Sequence, residues 1–276
     1  MTKIFREILH KGLVQEIRIK RNIVDKKSRF QRIQIFDSYI YGRVLALDGI
    51  IQITEKDESS YSEMLVHPAI NKLKNPKNIL IIGGGDGAVA EELLKYNFIK
   101  TIDLVDIDKE VINLSKKYFK KINKNSLTNK KVKIFTEDAL FFTKESKKKY
   151  DLVIADRPDP VRAGKSLFKY AFYENIKKIL NANGIAVFQS GVPFLQQKEL
   201  KEVCNYVEGI FKNSGIILTV VPSYIGGYMA LVWASNRIKL GGDSKKYIKT
   251  KLTTEYYNLK VCSASFCIPN FIEKMK

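Results

Sequence analysis

The stretch NILIIGGGDGAVAEEL, residues 78–93, runs from a compact aliphatic segment through four glycines into a helical pattern. Ile79 to Ile82 are apolar in succession, as in a strand buried on both faces within a helix-covered parallel sheet. Gly83, Gly84, Gly85 and Gly87 let the backbone turn tightly and approach a ligand, while the N-terminus of the next helix offers unpaired N–H groups. Such a turn serves packing as well as nucleotide binding, so its meaning depends on the segments around it.

Downstream, the apolar segments TIDLVDID, VKIFTED, YDLVIAD, GIAVFQS and ILTVVPSY alternate with helical patterns such as VINLSKKYF and FYENIKKIL. This predicts an α/β fold: a doubly wound, mainly parallel seven-stranded sheet of the Rossmann-like methyltransferase type. ILTVVPSY and YMALVWAS are joined only by Ile225, Gly226 and Gly227, too few for a crossover helix, so they are expected to form an antiparallel edge hairpin. Upstream, EIRIKRNIV, FQRIQIF and RVLALDGIIQITE place apolar residues with period two. The expected organisation is a small N-terminal β domain over 1–57 and a Rossmann-like catalytic domain over 58–276, opening with a helix capped by Ser59 or Ser60. His67, ahead of Pro68 in that helix, reads as structural.

With 276 residues, 45% hydrophobic and 28% charged, the chain is globular in composition, which excludes a disordered, collagen-like or disulfide-stapled protein. No segment approaches the roughly 20 apolar residues of a membrane span, and MTKIFREILHKGLVQE lacks an apolar signal core, so a soluble cytoplasmic protein without membrane partners is expected. Three cysteines without a CxxC pair and two histidines make structural zinc and disulfides unexpected, and Cys204, Cys262 and Cys267 read as packing residues. Forty-eight basic against 29 acidic residues give +19. The lysine runs at 116–133 and 144–149 lack interleaved aromatics, so they read as solvated surface rather than a nucleic-acid site.

Acids punctuate the predicted strand ends. Asp106, 22 residues beyond Gly84, suits the hydroxyls of a ribose. Asp138 suits an exocyclic amine, and each of these acids also reads as a loop cap. Asp86 among the glycines disfavours a pyrophosphate and suits a cation. Asp156 and Asp159 in YDLVIADRPDP would raise one another's pKa unless a cation lay between them, which suits an amine substrate. No histidine is near, so Mg²⁺ or Zn²⁺ is not expected. The spacing leaves a nicotinamide dinucleotide and an S-adenosylmethionine-type ligand both open; the edge hairpin favours the second by fold analogy.

The chain resembles the polyamine aminopropyltransferases, the spermidine synthase family, from about Phe30 to Phe271. The resemblance rests on YGRVLALDGIIQITEKDESSYSEMLVHPAI, IIGGGDGAVAEEL, VDIDKEVI, EDAL, YDLVIADRPDP, SLF, FQSGVPFLQQ, PSYIGGYMALVWAS and YYN in one order. It implies transfer of an aminopropyl group from decarboxylated S-adenosylmethionine to putrescine, giving spermidine and methylthioadenosine, with no metal and no cofactor beyond that donor. It implies Asp156 as the catalytic base with Tyr61 beside it. Gln31, Gly83, Gly85, Asp86, Asp106, Asp138 and Ala139 would hold the donor, and Asp159, Gln189 and Tyr224 the acceptor. It further implies a homodimer or higher homo-oligomer through the N-terminal β unit. The chain departs from the family pattern at Ser62, where His or Gln is usual and where a ribose contact would be shortened or carried by water. It also departs at Arg157, Arg162 and Lys165, which are expected to face solvent or else to pair with a carboxylate on donor or acceptor. Competing readings are a transferase of the same fold with another amine or intact S-adenosylmethionine, methyltransferases included, and a catalytically silent basic binding protein.

Overall fold

The computed structural model describes residues 3–157, 166–241 and 252–275. An antiparallel sheet comes first, with β1 (Ile4–Glu7), β2 (Gln15–Lys27), β3 (Arg32–Ser38), β4 (Arg43–Leu47) and β5 (Ile50–Thr54) paired in chain order. β1 was not among the expected strands, because four residues are too few for alternation to register. The sheet buries both faces. Phe5, Ile17, Phe36, Val44, Ala46 and Ile51 form one small core, while Ile33, Ile35, Leu45 and Ile53 pack on Ala88, Val111, Phe119 and Ile122 of the larger unit. That second contact seats the sheet against the glycine loop.

The connecting helix α1 (Glu58–Ile70) starts ahead of the expected caps. Asp57 occupies the N-cap position without a side-chain cap bond, and Ser60 Oγ donates to Asp57 O at 2.8 Å. Every residue from Ser60 to Ile70 is buried, so the helix is wedged on all sides and shows little amphipathic contrast. His67 is structural as expected: Nε2 lies 2.9 Å from Glu92 Oε2 and Nδ1 2.8 Å from the Tyr96 hydroxyl. Burial pushes its pKa down to about 4, so the ring is neutral.

The second sheet holds β6 (Asn78–Gly83), β7 (Thr101–Val105), β8 (Val132–Phe135), β9 (Tyr150–Asp156), β10 (Leu180–Gln189), β11 (Asn213–Val220) and β12 (Tyr228–Ser235). Their order is β11-β12-β10-β9-β6-β7-β8. β8, β7, β6, β9 and β10 run parallel, and β12 is antiparallel to both β10 and β11. The expected seven strands and edge hairpin are therefore present. Successive residues of one strand serve opposite cores: Ile79, Ile81, Leu152 and Ile154 face one helical layer, and Leu80, Ile82, Val153 and Ala155 the other. This two-sided burial is why the strands read as unbroken apolar runs.

The packing role expected for the cysteines holds for buried Cys204 and for half-buried Cys262, which packs against the core, whereas Cys267 is exposed. Among the described residues no helix is long and apolar enough to cross a membrane.

Candidate active site

The C-terminal ends of β6, β7, β9 and β10 open on a cavity of about 170 Å³, closed from the other side by the N-terminal sheet and the loop between β11 and β12. Gln31, Tyr61, Gly83, Gly85, Asp86, Asp106, Asp138, Ala139, Asp156, Gln189 and Tyr224 all line it. Asp159, Arg162 and Lys165 lie outside the described residues.

Two glycines are required by geometry. Gly83 has φ +79°, and a Cβ there would fall 1.9 Å from the Asp156 carbonyl oxygen. A Cβ on Gly85 would fall 2.5 Å from Asp106 Oδ2, an oxygen that accepts from the Gly85 N–H at 3.1 Å. Asp106 Oδ1 accepts from Asp108 N at 2.9 Å. Backbone donors thus fix both carboxylate oxygens, each keeping a lone pair for a ligand hydroxyl. Burial nevertheless pushes this carboxyl up to about 6.

Asp86 Oδ1 accepts from Ala88 N at 2.8 Å, and burial raises its pKa as well. At the end of β9, Asp156 Oδ1 accepts from the Tyr61 hydroxyl at 2.7 Å. Burial, then the neighbouring charge of Asp86, pushes Asp156 up to about 7. Burial also raises the Tyr61 phenol far above its usual value, so it remains a donor. Three carboxyls with raised pKa values in one cavity share an electrostatic need that a cation would meet.

Tyr224 packs edge-on against Tyr61 at 6.0 Å between ring centroids and donates its hydroxyl to Gln52 O. Gln189 is buried, and its Oε1 has no hydrogen-bond partner among the described residues. Gln31 Nε2 donates to Asp108 Oδ2 at 3.0 Å, beside Ser28 Oγ at 2.6 Å. Asp138 lines the cavity, and its Oδ1 caps the helix Ala139–Glu145 through Leu140 N at 2.7 Å.

Several lining or supporting residues escaped the sequence reading. Glu7, His10, Gln15 and Gln52 reach the cavity from the N-terminal sheet. Gln15 Nε2 donates to Glu7 Oε2 and to Ser223 O, each at 3.0 Å, while Ser223 N donates to Asp57 Oδ2 at 2.7 Å. These bonds hold the loop that carries Tyr224. Asp108 stood within the VDID segment and Asp57 directly ahead of a helix, so both carried a signal; Glu7 and Gln15 carried none. Among the described residues no three His, Cys, Asp or Glu side chains are grouped to hold a metal ion.

A family model described as "Spermine/spermidine synthase domain" matches residues 58–242, and one described as "Spermidine synthase tetramerisation domain" matches residues 4–55. The chain belongs to the spermidine synthase family. It is accordingly an aminopropyltransferase enzyme of polyamine biosynthesis. It is 37% identical to a polyamine aminopropyltransferase of Buchnera aphidicola subsp. Schizaphis graminum over 98% of this chain and 96% of that one. The corresponding enzyme of Ruegeria sp. is 34% identical over the same shares. Among solved structures, a spermidine synthase in complex with the transition-state analogue AdoDATO superposes with a TM-score of 0.93 at 29% identity, covering 100% of this chain and 96% of that one. The spermidine synthase of Thermotoga maritima gives 0.90 at 29% identity, covering 100% and 95%.

Within this spermidine synthase fold, both departures at described positions are buried, and Arg157 is placed differently from expectation. Ser62 makes no ligand-facing contact: it is buried and donates to Glu58 O at 3.0 Å and to Glu58 Oε2 at 2.7 Å, back into its own helix. Arg157 neither faces solvent nor pairs with a carboxylate among the described residues. It is 2% exposed, donates to Gln189 O at 3.3 Å, to the Tyr173 hydroxyl at 2.8 Å and to Leu167 O, and stacks 3.7 Å from the Phe168 ring centroid. Burial lowers its pKa from the usual arginine value. The physical reason is the aromatic box of Phe168, Phe172, Tyr173 and Phe188, which accepts a planar cation where charge alone would send it outward.

Proposed function

We propose that this enzyme transfers the aminopropyl group of decarboxylated S-adenosylmethionine to putrescine, forming spermidine and methylthioadenosine. The observation that carries the reading is the 2.7 Å bond from Tyr61 to Asp156, at a strand end that shares its cavity with the glycine loop, Asp86 and Asp106. The likeness to a spermidine synthase solved with AdoDATO supports the choice of donor.

In this reading Asp106 and Asp138 receive the adenosyl part, against Gly83, Gly85 and Ala139, with Gln31 reinforcing Asp108. Asp86 faces the donor's ammonium. Gln189 and Tyr224 line the acceptor side, to which Asp159 is also assigned. A free alkyl ammonium has a pKa of about 10 and lacks a lone pair at neutral pH. Asp156, with a pKa near 7, is matched to take that proton, while Tyr61 orients the accepting carboxylate. The nitrogen lone pair then forms a C–N bond to the carbon beside sulfur. The C–S bond breaks with its electron pair going to sulfur, which leaves as a neutral thioether. The step is governed by alignment of nitrogen, carbon and sulfur, so rigid walls matter more than further acid or base groups.

The same proposal keeps the domain junction between residues 57 and 58 and a cytoplasmic location, and makes the chain a homo-oligomer through its N-terminal sheet. There Ile4, Ile8, Val14, Tyr39 and Ile40 are exposed apolar side chains. Light scattering after size exclusion is expected to return a multiple of 31.6 kDa. For the chemistry, products are identified by mass spectrometry after incubation with a panel of amines and with both decarboxylated and intact S-adenosylmethionine. Spermidine and methylthioadenosine are expected from the decarboxylated donor and putrescine. Adenosylhomocysteine, or turnover with the intact donor only, overturns the reading.

A further inference from the structure

Resting on the functional reading above, we propose that Arg157 is a positioning residue for the acceptor half of the site, bracing three segments so that Asp156 and the Gln189 side chain face one amine. The brace is visible in its partners. Its Nε and Nη2 hold the main-chain oxygen of Gln189 at the end of β10, each at 3.3 Å; Nη1 holds Leu167 O; and Nη2 holds the Tyr173 hydroxyl at 2.8 Å. Leu167 and Gln189 both line the cavity, and Arg157 directly follows Asp156 in the chain.

Each of these partners is neutral. A desolvated guanidinium held, among the described residues, by neutral groups alone is a poor way to gain stability, since an apolar side chain would fill the box without the cost of stripping water from a charge. What the guanidinium supplies is a rigid planar fork that grips carbonyls on separate segments at fixed angles. The Gln189 carbonyl is gripped, the same residue lines the cavity, and its fully buried Oε1 has no hydrogen-bond partner among the described residues. An acceptor N–H would satisfy that oxygen once the side-chain amide turns it toward the cavity. The main-chain grip fixes where it stands relative to Asp156.

The test uses the full-length enzyme with putrescine and decarboxylated S-adenosylmethionine, together with calorimetric binding of methylthioadenosine. Arg157→Lys keeps a charge but loses the fork, and is expected to raise the KM for putrescine by about tenfold or more. Tyr173→Phe removes one acceptor from the guanidinium and keeps the ring, with an expected rise of about threefold. Methylthioadenosine affinity is expected to stay within about twofold in both, because the donor pocket is built on other strand ends. Should Arg157→Lys not fold, Tyr173→Phe alone carries the test. An unchanged putrescine KM overturns the proposal, and so does a loss of methylthioadenosine affinity in the same proportion, which would mark a purely structural role. Wild-type enzyme that neither binds methylthioadenosine nor makes spermidine overturns the functional reading itself, and is distinguished by that control.

Discussion

Replacing Asp156 by Asn separates what this side chain costs the fold from what it does for the reaction. In the ligand-free protein its carboxyl is raised from 3.8 to about 7 by burial and by the charge of Asp86. The folded state therefore binds a proton between about pH 4 and pH 7 that the unfolded chain does not, and this contribution to stability is lost as the pH rises through about 7. Three pKa units correspond to about 4 kcal/mol. Asp156 is half-buried at the cavity wall, so solvent screening reduces this to about 2 kcal/mol. Asn is nearly isosteric, stays neutral and can still accept from Tyr61. At pH 8 Asp156→Asn is expected to be more stable than wild type by about 2 kcal/mol, or about 5 °C in Tm for a chain of this size. Below about pH 4 the two should coincide, and the gap should open progressively between about pH 4 and pH 7. Turnover should fall by about 10²-fold or more, the usual contribution of a positioned base. Urea unfolding at pH 5, 6, 7 and 8, with methylthioadenosine binding as a control for the pocket, provides the measurement. A variant with the wild-type pH slope, or less stable at pH 8, would refute the electrostatic reasoning, and near-normal turnover would remove Asp156 from the mechanism.

Other consequences follow from the same cavity. Asp86 and Asp156, both raised by burial and the second to about 7, must release protons to receive a cation. Affinity for the cationic donor should therefore climb as pH rises from 5.5 to 8, with proton release detectable by calorimetry in buffers of different ionisation enthalpy, while affinity for neutral methylthioadenosine changes little; equal pH profiles for the two ligands would contradict this. Gly85→Ala drives a methyl group into Asp106 Oδ2 and is expected to cost about tenfold or more in methylthioadenosine affinity with circular dichroism unchanged, so retained affinity would show that Asp106 does not hold the ribose. Ser62→Ala should leave methylthioadenosine affinity within about twofold, because Ser62 bonds to Glu58 inside its helix; a larger loss would mean that Ser62 reaches the donor after all.

The parts of the molecule legible in the sequence are those where local chemistry and burial agree. The glycine loop was readable because only glycine tolerates the left-handed turn at Gly83 and the close approaches at Gly83 and Gly85. The parallel strands were readable because each feeds two cores. β1 and the residues Glu7 and Gln15 were not, since a four-residue strand paired through one neighbour leaves no periodic trace. Tyr61 and Asp156 meet across 95 residues of chain, so spacing alone could not pair them and only the family resemblance did. The direction taken by Arg157 was hidden for a different reason. Its aromatic box is assembled from a loop, a helix and a strand, and from sequence alone a basic side chain after a strand end is assigned to solvent on average behaviour.

That orientation also bears on how a chain of net charge +19 can favour cationic ligands. Outer lysines are partly neutralised by nearby acids, as in Lys124 with Glu91 at 2.8 Å, Lys26 with Glu110 at 2.7 Å and Lys148 with Asp103 at 2.6 Å. Those left over act across water, where a Debye length of about 8 Å screens them. Asp86, Asp106 and Asp156 act at close range inside a cavity walled by protein, where the same charge exerts a larger field. The cationic residue placed among the described cavity walls, Arg157, spends its N–H groups on carbonyls and a phenol behind the wall. The potential felt by a bound amine is then set by the carboxylates the strand ends turn inward, and the surplus of lysine belongs to the outer surface.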